Sequence, residues 1–294
     1  MPQTTNTQNL YDHVDFLTGL RPFRNYQNLG SLQQCVDYIG QQFESYGFTS
    51  RLQPWEARGN TYNNVIASYQ SEKARKLIVG AHYDVCGDQP GADDNASAVA
   101  GLLETARLIA ENQPDLDYGI ELVAYCLEEP PFFLTKSMGS YVHTQSLFDA
   151  QTDVLGMICY EMIGYFSEEP DSQPFPIPEL AALYPSVGNF IIVVGIDEYQ
   201  GFVNQVHQLM AKDANIDVQK ISFPDADDLA GLSDHRNYWE FGYPALMIND
   251  TSFIRNDNYH KPSDTIDTLD FDKMTAVVDA SYQAIVNLNE DIVK

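Results

Sequence analysis

Six short apolar runs punctuate this chain, at residues 64–68, 77–81, 120–127, 154–160, 190–196 and 245–248. Several are apolar on consecutive positions rather than alternate ones, which is the pattern of strands buried on both faces. Helical periodicity marks three further stretches, 31–46, 96–111 and 271–293. In the second, Val99, Leu102, Leu103, Ala106, Ile109 and Ala110 share one face. In the third, Met274, Val277, Val278, Tyr282, Ile285 and Ile292 do so. Strands alternating with helices predict an α/β fold, a three-layer α/β/α sandwich around a mixed, mostly parallel sheet. No internal repeat or low-complexity tract divides the sequence, so residues 1–294 are read as a single domain. The Pro-rich, aromatic segment 168–185 lies between two strands and is read as a surface excursion.

Charge narrows the partners. The chain carries 42 acidic and 16 basic side chains, a net charge of −26. Such a chain has no surface for neutralising phosphates, so no nucleic-acid partner is expected, and anionic membranes repel it. No run approaches the ~20 apolar residues that span a bilayer. Residues 1–10 are polar and lack both the basic and the apolar region of a secretory signal, so a cytoplasmic location is expected. Cys35, Cys86, Cys126 and Cys159 show no paired spacing, and free thiols in a reducing compartment are the expectation.

The chemistry follows the strands. Run 77–81 leads into His82-Tyr83-Asp84, and a Gly/Pro loop then brings Asp93-Asp94-Asn95 to the start of a helix. Run 120–127 ends in Glu128-Glu129, run 154–160 in Glu161, and Tyr259-His260 follows the last run. Ligands bind at strand ends in open α/β sheets. Two imidazoles and three carboxylates there are what two zinc ions need if one carboxylate bridges them. His82 and Asp84 can point the same way on an extended chain, which lets Asp84 hold the second ring nitrogen of His82. Asp94 at a helix N-terminus gains from the macrodipole. Of two adjacent glutamates, one naturally serves as ligand and the other as general base.

Each piece also has a plainer reading. Asp88, Asp93, Asp94 and Asn95 alone fit a solvated acidic loop or a calcium site equally well. Glu128-Glu129 in so acidic a chain is ordinarily surface, and His260 alone is ordinarily a hydrogen-bonded turn residue. His13, His143 and His207 stay in that plain class. The joint order His, Asp, Glu, Glu, His at strand ends is what departs from chance.

At this point the sequence resembles a known family, the zinc-dependent exopeptidases of the bacterial leucine-aminopeptidase type, within metallopeptidase clan MH. Four segments carry the likeness: G-A-H-Y-D from Gly80, P-G-A-D-D-N-A-S from Pro90, the pair at Glu128, and S-D-H-R from Ser233 with Y-H-K-P-S-D-T from Tyr259. It extends from about Asn64 to the C-terminus. It implies the zinc exopeptidase (phosphorylase/hydrolase-like) fold and two zinc ions per chain. His82 would bind the first zinc with Glu161, Asp94 would bridge, and Glu129 with His260 would bind the second. Glu128 takes the place of the general base, Asp84 a supporting place beside His82, and Tyr259 that of an oxyanion donor. Asp234 and His235 match a motif of structural or supporting role.

Three departures stand out. Glu161 occupies a position where the family usually has Asp, which brings terminus specificity into question. The usual E-E-x-G-L-x-G-S is expanded from Glu129-Pro130-Pro131-Phe132-Phe133 onward to Gly139-Ser140, marking a subgroup with an E-E-P-P-F-F motif. Glutaminyl cyclases share the fold but use one zinc, and the presence of both His82 and His260 favours two. The implied activity is an aminopeptidase acting on a peptide or small amide. The rivals are a carboxypeptidase, dipeptidase or amidohydrolase of the clan, then glutaminyl cyclase, then a non-catalytic binding domain. Net negative charge suits substrates with a free α-ammonium group. Phe132, Phe133 and the aromatics of 165–184 fit an apolar pocket and mutual packing equally well.

Overall fold

Leu77, Val79 and Ala81 pack on one side of their strand and Ile78 on the other, and both sides are covered. Alternate side chains of a strand leave opposite faces, so a run apolar at every position demands helices above and below. The structure, a computed structural model, describes residues 3–212, 214–227 and 229–289. Its strands are β1 (Ser50–Ala57), β2 (Asn60–Tyr69), β3 (Arg75–His82), β4 (Gly119–Tyr125), β5 (Asp153–Glu161), β6 (Phe190–Ile196), β7 (Asp217–Phe223) and β8 (Ala245–Asn249). They form one sheet in the order β1-β2-β4-β3-β5-β8-β6-β7. The central pairs β4/β3, β3/β5 and β5/β8 run parallel, as does β6/β7. The pairs β1/β2, β2/β4 and β6/β8 are antiparallel. The sheet is therefore mixed with a parallel centre, as expected.

The helices are α1 (Thr7–Gly19), α2 (Leu29–Ser45), α3 (Ala98–Asn112), α4 (Gly139–Asp149), α5 (Pro178–Ala181), α6 (Gln200–Ala211), α7 (His235–Glu240) and α8 (Phe271–Asn287). Leu10, Val14, Ile39, Leu102, Leu103, Val203, Val277 and Ile285 bring α1, α2, α3, α6 and α8 into one core with the Leu77 face. Leu147, Tyr238 and Trp239 bring α4 and α7 onto the Ile78 face. The larger core lies under the five-helix layer, and the C-terminal ends of β3, β4 and β5 open into a cleft. Gly80 in β3 lets Tyr125 lie against the strand, since a Cβ there would sit 2.3 Å from the Tyr125 ring.

All six predicted strands form, with differences at their ends. The run predicted to 127 leaves the sheet at Tyr125, because Leu127 takes a left-handed φ of 64° that turns the chain. The helix predicted over 96–111 starts at Ala98, after a wider turn over Ala92–Ser97. The helix predicted to residue 293 ends at Asn287; Leu288 is already non-helical, and residues 290–294 lie outside the described residues. Segment 168–185 is an excursion between β5 and β6, and it contains α5. Two strands and several helices were not read from the sequence. β1 and β7 are the sheet's edges, and edges are neither buried on both faces nor free of polar and Pro residues. Pro54 stands within β1.

Candidate metal centre

β3 ends on His82, and the ring is fixed at once. His82 Nδ1 donates to the backbone carbonyl of Asp84 at 3.2 Å, which leaves Nε2 facing the cleft. The Asp84 carboxylate was expected to orient this ring. Its Oδ1 lies 3.5 Å from Nδ1, and its two oxygens also accept from the backbone N–H groups of Glu128 and Glu129, each at 3.2 Å. Asp84 thus fixes the turn that Leu127 begins, and with it the direction of both glutamates.

Asp94 is not at a regular helix start. It has an extended backbone (φ −101°, ψ 91°) inside the wide turn ahead of α3, so the helix dipole is not what holds it. The carboxylate of Asp264 does so, accepting from the N–H groups of Asp93 at 2.9 Å and Asp94 at 3.1 Å. Glu161 closes β5. Its Oε2 accepts from Ser233 Oγ at 2.6 Å and Asn95 Nδ2 at 3.2 Å, so the longer arm relative to Asp is anchored at its tip.

These residues converge. Asp94 Oδ1 lies 3.4 Å and Glu161 Oε2 3.3 Å from His82 Nε2. Asp94 Oδ2 lies 3.0 Å and Glu129 Oε2 3.2 Å from His260 Nε2. One carboxylate therefore presents an oxygen to each imidazole. Glu128 Oε2 stands farther off, 3.7 Å from His82 Nε2. Tyr259 stacks on His260 with ring centroids 3.8 Å apart. Every residue singled out in the sequence as ligand, base or oxyanion donor borders this one space.

The electrostatics are unbalanced. Burial acts to lower both imidazoles, but Glu161 and Glu128 push His82 well above its ordinary range, and Asp94 and Glu129 push His260 up to about 10. Burial raises Glu128 strongly, and burial with Asp94 raises Glu129 to about 8. Asp94 goes the other way: contacts to His260 and His82 outweigh its burial and hold it below the usual carboxylate range. Burial also keeps the Tyr259 phenol protonated far above neutrality, reinforced by Asp94 and Glu129. Clustered buried acids of this kind need a cation. Glu129 Oε1 is buried without a hydrogen-bond partner, as an oxygen that serves a cation would be. Imidazole and carboxylate donors suit zinc. The residues fit the metal that the sequence implied.

An apolar pocket of about 170 Å³ opens beside the acids. Ile192, Val194, Ile221, Phe223 and Met247 line it from the sheet, and Phe175, Leu180 and Tyr184 from the excursion. Of the inserted pair, Phe133 lines the pocket, while Phe132 is buried against Tyr26 and Tyr62 at 5.3 and 6.1 Å. The two readings of these aromatics each hold for part of them.

Several contributors carried no sequence signal of their own. Arg24, fully buried, donates to the carbonyls of Tyr83 at 2.9 Å, Leu17 at 3.2 Å, Gly91 at 2.6 Å and Pro90, tying the His82 and Asp94 loops together. Cys86 joins Glu129 and His260 in one group of close donor atoms. Asp264 lay inside a quoted motif without a role. The plain histidines stay plain: His13 bonds Tyr38, His143 bonds Tyr238 and Glu121, and His207 bonds the Val218 carbonyl. His235 bonds the Ala230 carbonyl at 2.7 Å, a structural role. Burial raises Asp234 beside it to about 7. All four cysteines are free. Among the described residues, no helix is long and apolar enough to cross a membrane.

Residues 64–285 match peptidase family M28. The chain belongs to peptidase family M28. This M28 peptidase is 40% identical over 294 residues to the uncharacterized protein YfbL of Escherichia coli K12, across 97% of this chain and 90% of that protein. It is 27% identical over 226 residues to leucine aminopeptidase 1 of Metarhizium robertsii, across 72% of this chain and 51% of that protein. It thus spans about half the length of that relative. The fold is similar to LapB from Legionella pneumophila (TM-score 0.75, 20% identity, 99% of this chain and 73% of that one). It is equally similar to glutaminyl cyclase from Bacteroides thetaiotaomicron (TM-score 0.74, 19% identity, 98% and 100%), so fold alone does not separate hydrolase from cyclase. The reading of the chain as a metallo-exopeptidase rests on the family match.

Proposed function

We propose that this M28 peptidase removes residues with bulky apolar side chains from the N-terminus of peptides, as one catalytic domain holding two zinc ions. His82 and Glu161 hold the first, Glu129 and His260 the second, and Asp94 bridges. The observation that carries this reading is the divided carboxylate of Asp94, with Oδ1 3.4 Å from His82 and Oδ2 3.0 Å from His260. Zinc there supplies Lewis acidity toward a carbonyl oxygen and a water of lowered pKa. Glu128, buried beside the His82 ring, acts as a carboxylate that would take the proton of the attacking water and pass it to the leaving amine. Tyr259, kept protonated, donates to the oxyanion. Asp84 holds the turn that aims Glu128. The pocket walled by Val194, Met247 and Phe133 takes the terminal side chain, and the surrounding acids favour the α-ammonium group.

Mass-spectrometric product analysis tests it. The zinc-loaded protein is incubated with an unblocked peptide pool and with the same pool N-acetylated. Stepwise loss of N-terminal residues from the unblocked pool alone is the expected result. Loss from the C-terminus, or equal attack on both pools, overturns the aminopeptidase reading and makes Glu161 the residue that redirects the site. Cyclised N-terminal glutamine without hydrolysis assigns the cyclase chemistry instead.

A further inference from the structure

The two halves of the centre are not chemically alike. The His82 half contains only nitrogen and oxygen donors, with Glu128 beside them. The His260 half has a sulfur within reach: one donor atom each from Cys86, Glu129 and His260 lie within 4.8 Å of one another. Glu129 is 3% exposed, and its Oε1 has no hydrogen-bond partner. A buried glutamate with an unpaired carboxylate oxygen thus shares one group of close donor atoms with the thiol.

The loop holds Cys86 in place. Val85 N donates to the Arg24 carbonyl at 3.3 Å, and Asn25 Nδ2 donates to the Gly87 carbonyl at 2.7 Å. The residue on each side of Cys86 is therefore pinned to one segment, which itself lies outside the family-matched residues 64–285. The other three cysteines are fully buried and belong to no group of donor atoms that could hold a metal among the described residues.

The geometry points to Cys86 as a fourth donor, a thiolate, to the metal held by Asp94, Glu129 and His260. This inference rests on the two-metal reading above. A closed four-donor set is the mark of a structural zinc, and a three-donor set with an open position is the mark of a catalytic one. The His260 site is then the closed, sulfur-bearing, tightly held position. The His82 site, with Glu128 alongside, is the open one. Thiolate also selects zinc and other soft metals over manganese or magnesium, which a carboxylate-imidazole site does less well. On binding, the Cys86 S–H proton leaves to solvent and the sulfur lone pair forms the metal–sulfur bond.

Zinc K-edge X-ray absorption on the zinc-loaded full chain tests this, with zinc content measured in parallel. A sulfur shell at about 2.3 Å, distinct from nitrogen and oxygen near 2.0–2.1 Å, is expected in the native protein and is absent in Cys86→Ser. The same variant should hold its second zinc at least about 10-fold more weakly in chelator competition, the lower end of what altered metal surroundings cost. Two zinc ions with nitrogen and oxygen neighbours only would overturn the Cys86 assignment and leave the two-metal reading standing. A sulfur shell that survives in Cys86→Ser also overturns it. A protein that holds no zinc overturns both readings.

Discussion

His82 and His260 face opposite oxygens of one carboxylate from unlike settings. The His82 side chain is 1% exposed, ends a central strand, and is bonded to backbone on its far nitrogen. The His260 side chain is 26% exposed and sits on a loop at a left-handed φ of 55°, supported by a stacked tyrosine. The inner half is built into the sheet, and the outer half is laid over it by the C-terminal loop. Chemistry that needs fixed geometry belongs inside, and substrate entry belongs outside. The largest expected effect follows from that division. Glu128→Gln in the inner half should keep both metals and lower kcat by about 10²–10⁴-fold. Turnover within a few-fold of the native enzyme, at full zinc content, would remove Glu128 from the base role and break the comparison.

The outer half is tested by Tyr259→Phe. Losing one oxyanion donor should lower kcat by about 10²–10³-fold, with KM little changed. A change confined to KM would make Tyr259 a binding wall and return all the chemistry to the inner half.

Legibility divides along similar lines. Strands β3, β4 and β5 are covered on both faces, so their sequences are continuous apolar runs, and the acids that end them stand out. His82, Glu128, Glu129 and Glu161 were found that way. His260 was read from its place after the last apolar run, although it lies on a loop beyond the end of β8 at Asn249. Arg24 was not legible, because its hydrogen bonds go to four carbonyls and no side chain advertises them. The edge strands β1 and β7 face solvent on their outer rims and lose the apolar signature. Phe132 and Phe133 show the limit most sharply. They are identical neighbours, and only the three-dimensional turn after Glu129 sends one to the core and the other to the pocket.

That pair gives a smaller and sharper test. Phe133→Ala should lower kcat/KM for a bulky apolar terminal residue relative to alanine by roughly 10-fold, since a hydrophobic pocket contact contributes about 1–3 kcal/mol. Its stability should barely move. Phe132→Ala should do the reverse, costing about 3–5 kcal/mol of stability as a buried aromatic is lost. Steady-state kinetics on a pair of dipeptide amides, alongside urea unfolding, reads both. Equal effects from the two variants would mean that the insertion acts as one wall.

The smallest effect lies away from the cleft and separates interior histidines from those of the centre. Burial depresses His13 and His235 from 6.5 to about 4, against the pull of Glu104 and Asp12 on the first and of the Ala230 carbonyl on the second. Between those two values the unfolded chain binds a proton at each position and the folded chain does not. Stability is therefore fully present above pH 6.5 and is lost as pH falls toward 4, by about 1.4 kcal/mol per pH unit for each residue. Zinc release on acidification adds its own slope through His82 and His260, because imidazole must be neutral to bind metal. That slope is common to the native protein and His13→Gln, so it cancels in their difference. The stability advantage of native His13 over the variant should shrink as pH falls from 6.5 to 4.5, read by urea unfolding at each pH. A difference that stays constant across the window would remove His13 from the acid sensitivity and leave it to His235 and the metal centre.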